Sequence, residues 1–169
     1  MARAVGRELV QLGCRVVYGG ASVGLMGQVA DGALDAGGEV VGVMPSHLVR
    51  HEIAHTSLTE LIEVPDMHAR KQAMFDRADA FVALPGGFGT LEELLEVVTW
   101  AQLGLHEKPI AVLNHDGFFD PLLQQIDRAV GAGVMRPENH GLVVSVADPG
   151  RLGEAFASYE RTNVPKWVN

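Results

Sequence analysis

The sequence predicts an α/β fold, a single doubly wound, Rossmann-like domain in which helices flank a parallel sheet. Short runs rich in Val, Ile, Leu and Ala alternate along the chain with longer segments of helical periodicity. The runs are continuously apolar, which is typical of parallel strands buried on both faces. The chain has 169 residues, 47% of them hydrophobic and 20% charged. These values fit one ordinary soluble globular domain.

The N-terminal part predicts two helices, each followed by a strand. ARAVGRELVQLG places Val5, Leu9 and Leu12 on one helical face. This segment ends at Gly13, a suitable helix C-terminus. CRVVYGG predicts a short buried strand that glycine stops. LMGQVADGALDAGG predicts the second helix, and EVVGVMP predicts a second strand that ends at Pro45.

The remaining elements continue this alternation. Residues 46–58 are polar and rich in histidine, which predicts a loop, and LTELIEV then predicts a short strand. Further helices are predicted in MHARKQAMFDRA, TLEELLEVVTWAQLG, FFDPLLQQIDRAVGAG and PGRLGEAFASY, and further strands in DAFVALP, KPIAVLN and GLVVSV. We expect one domain over residues 1–158 and a loosely held C-terminal tail over residues 159–169.

Composition excludes several classes of protein. The formal charge of −8 argues against nucleic-acid binding, which needs a basic surface. Cys14 is the single cysteine, so neither an intrachain disulfide nor a cysteine-rich zinc site is expected, and a reducing, cytoplasmic setting follows. No apolar run is long enough to span a bilayer, and the first residues lack a signal-peptide pattern, so we expect no membrane partner.

Two glycine-rich loops follow predicted strands. YGGASVGLMG contains Gly19 and Gly20, and PGGFGT contains Gly86, Gly87 and Gly89. In a doubly wound sheet, ligands bind at the carboxyl ends of strands, where glycine lets the backbone approach and helix N–H groups attract anions. A phosphate therefore fits both loops. Neither loop has the sequence of a P-loop or a full dinucleotide fingerprint. The alternative to phosphate binding is that each loop is only a tight structural turn.

The second loop opens a helix that carries polar residues. Thr90 can cap the helix or donate its hydroxyl to a phosphate. Glu92 and Glu93 can simply complement the helix dipole, or one carboxylate can face a neutral part of a ligand, such as ribose hydroxyls or an attacking water. Glu96 lies three residues after Glu93 and four after Glu92, so spacing does not choose between them.

PDMHARK carries a second polar cluster. Pro65 and Asp66 predict the start of a helix, and Arg70 and Lys71 follow one turn later. Neighbouring helical residues point about 100° apart, so the two cations need not share a target. A solvated surface is the alternative for this pair.

The histidines do not predict a metal site. His47, His51 and His55 recur every four residues, but their segment lacks a helical apolar stripe. We therefore expect a solvated loop rather than a zinc site.

Two motifs resemble those of a known family. DMHARKQAMFDRADAFVALPGGFGTLEELLEVVTWAQLGLHEKPI resembles the LONELY GUY (LOG) family of cytokinin riboside 5′-monophosphate phosphoribohydrolases, through M-H-x-R-K and P-G-G-x-G-T-x-x-E. VVYGGASVGLMGQVADGALDAGGEVVGVMP is similar to the family's upstream glycine loop, and the resemblance extends over about residues 2–158. Many relatives carry an older lysine decarboxylase label, but no lysine here has a recognisable pyridoxal-phosphate context.

The resemblance implies hydrolysis of the N-glycosidic bond of an adenosine-type 5′-monophosphate, giving free base and ribose 5-phosphate without a cofactor or metal. It assigns the essential arginine to Arg70 and the essential glutamate to Glu93. It also implies a homodimer. The substrate contacts that it implies are Lys71, Gly87, Phe88, Gly89, Thr90, Leu91 and Glu92, with Glu52 and Thr99 as further contacts. Whether prenylated nucleotides or AMP are preferred stays open, and a non-catalytic nucleotide sensor or carrier is the competing class.

The chain departs from the family pattern at its start. Family members usually open with a strand that ends in a C-G-S-S-type loop, whereas this sequence begins at the following helix, so the first strand is missing. Either the sheet lacks a central member or the sequence is incomplete at its N-terminus. We expect incompleteness, because an open groove between strands is an aggregation hazard.

Overall fold

The computed structural model describes residues 1–49 and 54–160. The helices in these ranges are α1 (Ala2–Gln11), α2 (Gly24–Asp35), α3 (Ser46–Val49), α4 (Met67–Arg77), α5 (Phe88–Gln102), α6 (Asp120–Gly131) and α7 (Leu152–Ala157). The strands are β1 (Val16–Tyr18), β2 (Val40–Pro45), β3 (Glu60–Val64), β4 (Phe81–Ala83), β5 (Ile110–Leu113) and β6 (Val144–Val146). Each predicted helix and strand is present. The short helix α3 begins the stretch that was predicted to be a loop.

All strand pairs in the described ranges are parallel, which confirms the α/β class. The strands form two three-stranded sheets, ordered β1-β2-β3 and β4-β5-β6. In the first sheet Val17 pairs with Val41, and in the second Val82 pairs with Ala111. The chain forms two compact units, residues 1–78 and a second unit that begins at Asp79. The single domain over residues 1–158 and its tail stay a prediction.

Close contact between α1 and α2 organises the first unit. Gly6 lies against the backbone of Val29 and Ala33, and Gly32 lies against the backbone of Arg3. A Cβ atom at Gly6 or Gly32 would overlap those backbone atoms. The two helices approach this closely because both contact positions lack a side chain.

We expect Gly32→Ala to lower the free energy of unfolding by roughly 1–3 kcal/mol, because the added methyl forces two backbones apart. Urea denaturation followed by circular dichroism measures the change. Gly131→Ala is the matched control, since Gly131 is also helical and a Cβ there meets nothing within 4 Å. Equal destabilisation by both substitutions would contradict the close-contact explanation.

The second unit packs α5 against β5. Its core joins residues from the helix, the strand and the segments that follow: Leu94, Ala101, Ile110, Val112, Phe119 and Leu142. Leu94 and Ala101 are buried, so the face of α5 that carries them points toward the core. Residues in the first turns of α5 that lie on the opposite face point away from the core. No helix in the ranges that the structure describes is long and apolar enough to cross a membrane.

Candidate functional site

The glycine loop of the first unit begins where β1 ends. Tyr18 is the last residue of β1, and Gly19 and Gly20 follow it as buried residues. The α4 helix starts after β3, and the Asp66 carboxylate caps it by accepting a hydrogen bond from the Ala69 backbone N–H at 2.8 Å. The predicted helix entry is confirmed. Residue 70 therefore lies one turn inside a helix whose start is capped.

The Arg70 guanidinium lies against this glycine loop. Its Nε donates a hydrogen bond to the Val43 carbonyl oxygen at 3.2 Å, and its Nη1 lies 3.7 Å from Met67 Sδ. A side chain at Gly19 would overlap Nη2. The pairing of β1 with β2 ends at Gly42, so Val43 lies just beyond the last residue pair. An always-charged, planar donor group is thus fixed at the carboxyl ends of β1 and β2, where parallel sheets bind ligands.

Two further predicted contacts belong to the same unit. The half-buried Lys71 follows Arg70 on α4 and points about 100° away from it. It is therefore not a second cation on the same face. Glu52 lies outside the described residues, and its contact with substrate stays a prediction.

The second glycine loop leads into α5. The helix begins at Phe88, two residues earlier than predicted, and Gly87 is its N-cap without a side-chain cap hydrogen bond. Thr90 is the third helical residue, and its side chain covers Gly86, where a Cβ would overlap Oγ1. Thr90 as an N-cap was therefore wrong, because the helix starts before it. A helix start capped by glycine suits an anion, since backbone N–H groups of a first turn have no intrahelical acceptor.

The phase of α5 separates the two glutamates that spacing left equivalent. Leu94 is 4% exposed and faces the core. Glu93, next to it, is half-buried and lies one turn after Gly89 and Thr90 on the same side of the helix. Glu92 is exposed and lies on the opposite side from Leu94. Glu93 thus lies nearer the buried side of the helix than Glu92 does.

The other predicted contacts on α5 have different environments. Leu91 packs against the core cluster. Phe88 is 92% exposed. Thr99 is exposed, and its hydroxyl donates to the Leu95 carbonyl oxygen at 2.6 Å. Their roles as substrate contacts stay predictions.

One histidine that was predicted to be solvated is held by the fold. The His55 side chain is 9% exposed, and its Nε2 lies 2.9 Å from Asp31 Oδ1. Its backbone N–H also donates to the Gly20 carbonyl oxygen at 3.0 Å. The prediction of a solvated loop was wrong for His55, because the partner on α2 is distant in sequence. His47 lies in α3, and His51 lies outside the described residues.

The described ranges contain no group of three or more His, Cys, Asp or Glu residues that could hold a metal ion.

Comparison with known proteins identifies the family. The family model described as "Possible lysine decarboxylase" matches residues 26–156. The chain is 48% identical over 155 residues to the "Probable cytokinin riboside 5'-monophosphate phosphoribohydrolase LOGL2" of Oryza sativa subsp. japonica, covering 92% of this chain and 64% of that protein. It is 45% identical over 162 residues to the "Cytokinin riboside 5'-monophosphate phosphoribohydrolase LOG5" of Arabidopsis thaliana, covering 96% of this chain and 71% of that protein. The chain belongs to the LOG family.

Solved structures support the fold of this LOG-family chain. The molybdenum cofactor binding protein of Rippkaea orientalis superposes with a TM-score of 0.70 at 25% identity, covering 93% of this chain and 84% of that one. The molybdenum cofactor carrier protein of Chlamydomonas reinhardtii gives a TM-score of 0.64 at 24% identity, covering 88% and 79%, and shows the fold alone. The Rossmann-like class predicted from the sequence is confirmed.

The predicted site residues of the LOG-family chain fall into two groups. The first unit brings together Gly19, Gly20 and Arg70, although they are far apart in sequence. The second unit places the run from Gly86 to Glu93 on one loop and the start of one helix. Arg70 and Glu93 lie in different units, so their action on one substrate belongs to the proposal below.

Proposed function

We propose that this LOG-family chain hydrolyses the N-glycosidic bond of adenosine-type 5′-monophosphates, releasing the free base and ribose 5-phosphate. Relatives at 45–48% identity bear the name cytokinin riboside 5′-monophosphate phosphoribohydrolase. The chain spans 64% of the rice relative's length, so activity and substrate are proposed rather than transferred. The observation that carries the proposal is the Arg70 guanidinium, fixed between the Val43 carbonyl and a glycine that cannot be replaced without displacing it.

The glycine-capped start of α5 is the proposed site of the 5′-phosphate. Gly87 supplies no capping side chain, and the following Phe88 and Gly89 are exposed. Backbone N–H groups and the helix dipole at such a terminus favour an anion. Binding of a phosphate remote from the reacting bond holds the ribose in place, which lowers the entropic part of the barrier.

Glu93 is the proposed group that acts on the sugar. Departure of the base builds oxocarbenium-like positive charge on the ribose, which a nearby carboxylate stabilises while it orients water or ribose hydroxyls. Arg70 stays charged throughout and is a poor proton donor, so its proposed role is electrostatic stabilisation of the departing base or the phosphate. The further proposed substrate contacts are Gly19, Gly20, Glu52, Lys71, Gly86, Gly87, Phe88, Gly89, Thr90, Leu91, Glu92 and Thr99.

The phosphate requirement tests this function. We expect the protein to release base from AMP and from isopentenyladenosine 5′-monophosphate. Adenosine and isopentenyladenosine should react with kcat/KM at least about 100-fold lower, because they lack the group that positions the ribose. Free base is measured by liquid chromatography. Equal rates on nucleosides and nucleotides would contradict phosphate anchoring, and the ratio between the two nucleotides separates a cytokinin-activating enzyme from a general AMP nucleosidase.

A non-catalytic carrier is the second candidate. It is favoured by the superposition at a TM-score of 0.70 and 25% identity on a protein named for binding molybdenum cofactor. A carrier would bind a phosphate-bearing ligand at the same loops without breaking a glycosidic bond. Calorimetric binding of AMP with no base release over many hours would favour the carrier.

We also propose a homodimer that buries the outer face of α5. Leu95 on this helix is 47% exposed, and Leu103, the C-cap residue directly after it, is 44% exposed. Exposed apolar side chains on one helix are typical of a surface that a second copy covers.

We expect Leu95→Glu to convert the dimer into a monomer in light scattering after size exclusion, because a charge would be buried without a partner. Leu12→Glu is the matched control, since Leu12 is 41% exposed at the end of α1. A wild-type monomer, or a dimer that both variants leave intact, would contradict this interface.

The setting proposed for this protein is the cytoplasm, with no nucleic-acid or membrane partner and no cofactor. The charge of −8 and the single, exposed Cys14 support this proposal.

A further inference from the structure

We propose that His55 is a positioning residue for Arg70: together with Asp31 it holds residues 54–55 against the glycine turn on which the Arg70 guanidinium rests. The proposal concerns how the site is built, and only its kinetic consequence rests on the proposed function.

The backbone of His55 is attached to the glycine turn. Its backbone N–H donates to the Gly20 carbonyl oxygen at 3.0 Å, and the preceding Ala54 forms an antiparallel bridge with Ala21. Residues 54–55 therefore lie alongside residues 20–21. The segment and the turn are thus joined through their backbones.

Both nitrogens of the His55 ring have hydrogen-bond partners. Nδ1 accepts a hydrogen bond from the Ser57 backbone N–H at 3.2 Å, so in neutral His55 the proton is on Nε2. Nε2 then donates to Asp31 Oδ1 at 2.9 Å. Both ring nitrogens are satisfied, one by the loop itself and one by α2. A ring that is 9% exposed needs both partners, because a buried polar atom without a partner is costly.

Asp31 has a second partner on α1. Arg3 on α1 donates from Nη2 to Asp31 Oδ2 and from Nη1 to Asp35 Oδ2, both at 2.7 Å. The carboxylate is thus held between a guanidinium and an imidazole, with one oxygen for each. The tight α1–α2 packing fixes the two helices that carry this bridge.

Tyr18 supports the same turn from the strand side. Its hydroxyl donates to the Ala21 carbonyl oxygen at 3.2 Å. Burial raises the pKa of the Tyr18 hydroxyl, and the negative charge of Asp31 raises it further. The phenol therefore stays a neutral donor, and the turn is tied at Gly20 by the loop and at Ala21 by the strand.

The turn lies against Arg70 at Gly19. Gly19 directly precedes the residue that His55 holds, and a side chain at Gly19 would overlap Arg70 Nη2. The backbone of Gly19 is therefore one wall of the guanidinium position. Loss of the His55–Asp31 hydrogen bond frees residues 54–55, lets this wall shift, and misplaces the arginine without removing it.

Substitutions at His55 test the proposal. His55→Phe keeps a planar ring and removes both hydrogen bonds, whereas His55→Gln keeps an N–H donor that can reach Asp31. We expect His55→Phe to lower kcat/KM for base release from AMP by roughly 10- to 100-fold, as misplacement of a catalytic group does. His55→Gln should restore most of the loss. His140→Phe is the matched control, because His140 Nε2 lies 2.8 Å from Asp127 Oδ1 in an exposed pair, and it should stay within about twofold of wild type.

A second measurement is independent of catalysis. The ¹⁵N heteronuclear NOE of the Arg70 Nε–H reports how rigidly the guanidinium is held on Val43. We expect this NOE to fall in His55→Phe, to recover in His55→Gln and to be unchanged in His140→Phe. If the wild type releases no base, the hydrolase proposal fails, while this measurement still tests the positioning role.

Three results would overturn the proposal. The first is a folded His55→Phe protein with wild-type Arg70 order and kinetics. The second is a His55→Gln protein as defective as His55→Phe, and the third is an equal loss in His140→Phe. If His55→Phe does not fold, Asp31→Ala removes the same hydrogen bond and is studied by both measurements. We expect lower order of the Arg70 side chain in Asp31→Ala. Wild-type order of Arg70 in this variant would contradict the proposal.

Discussion

Replacement of Glu93 by glutamine is expected to lower kcat for base release from AMP by roughly 10²- to 10³-fold, the usual cost of removing one group that stabilises transition-state charge. Glutamine has the same shape but no negative charge, so it cannot stabilise a cationic ribose. The effect should lie in kcat, with the dissociation constant for AMP changed by only a few fold, because the charge develops during the reaction. Rapid-quench kinetics and isothermal titration calorimetry measure the two quantities separately.

The half-buried Glu96 on the same helix provides the control. It lies one turn beyond Glu93, so Glu96→Gln makes the same chemical change further from the glycine loop. We expect kcat within a few fold of wild type for this variant. Similar losses in the two variants would indicate a general electrostatic effect of α5, and wild-type activity in Glu93→Gln would exclude the proposed role.

A second large loss of activity is expected from Gly19→Ala, which adds a single methyl group. In Gly19→Ala the added methyl takes the place of Arg70 Nη2, which is the end of a flexible side chain rather than backbone. The guanidinium must move, and kcat/KM for AMP should fall by roughly 100-fold, as when a group near the reacting atoms is misplaced by about an ångström. Unfolding stability should change little, because a long side chain can give way without moving the core.

A double-mutant cycle with Arg70→Ala decides whether Gly19 acts through the arginine. If it does, Gly19→Ala should have almost no further effect on kcat/KM once Arg70 is alanine. The same steady-state assay measures all four proteins. Additive losses would show that Gly19 serves catalysis by another route, for example by direct contact with the ligand.

The order of elements could be predicted because it depends on local patterns. Continuous apolar runs indicated the strands, and capping residues such as Asp66 indicated helix starts. Each of these signals lies within a few residues of the element that it predicts. The start of α5 was placed two residues late. Gly87 as N-cap leaves no side-chain signal, whereas Thr90 resembles a cap.

The construction of the site could not be predicted from local patterns. Spacing could not separate Glu92 from Glu93, because helix phase depends on burial of Leu94 against a distant strand. The contact between Gly19 and Arg70 joins segments that are separated, in the described part of the chain, by α2, β2, α3 and β3. His55 looked solvated, because its own segment contains no sign of Asp31 on α2. Family resemblance chose Arg70 and Glu93, but it did not indicate what holds them.

Reaction of AMP in ¹⁸O-labelled water, with the products analysed by mass spectrometry, tests the proposed chemistry at the bond that breaks. Hydrolysis of the N-glycosidic bond predicts free adenine and ribose 5-phosphate in equal amounts, with one ¹⁸O atom in the sugar phosphate and none in the base. Labelled inorganic phosphate with adenosine would instead indicate a phosphatase. Unchanged AMP bound to the protein would indicate a carrier, and either result would contradict the phosphoribohydrolase function.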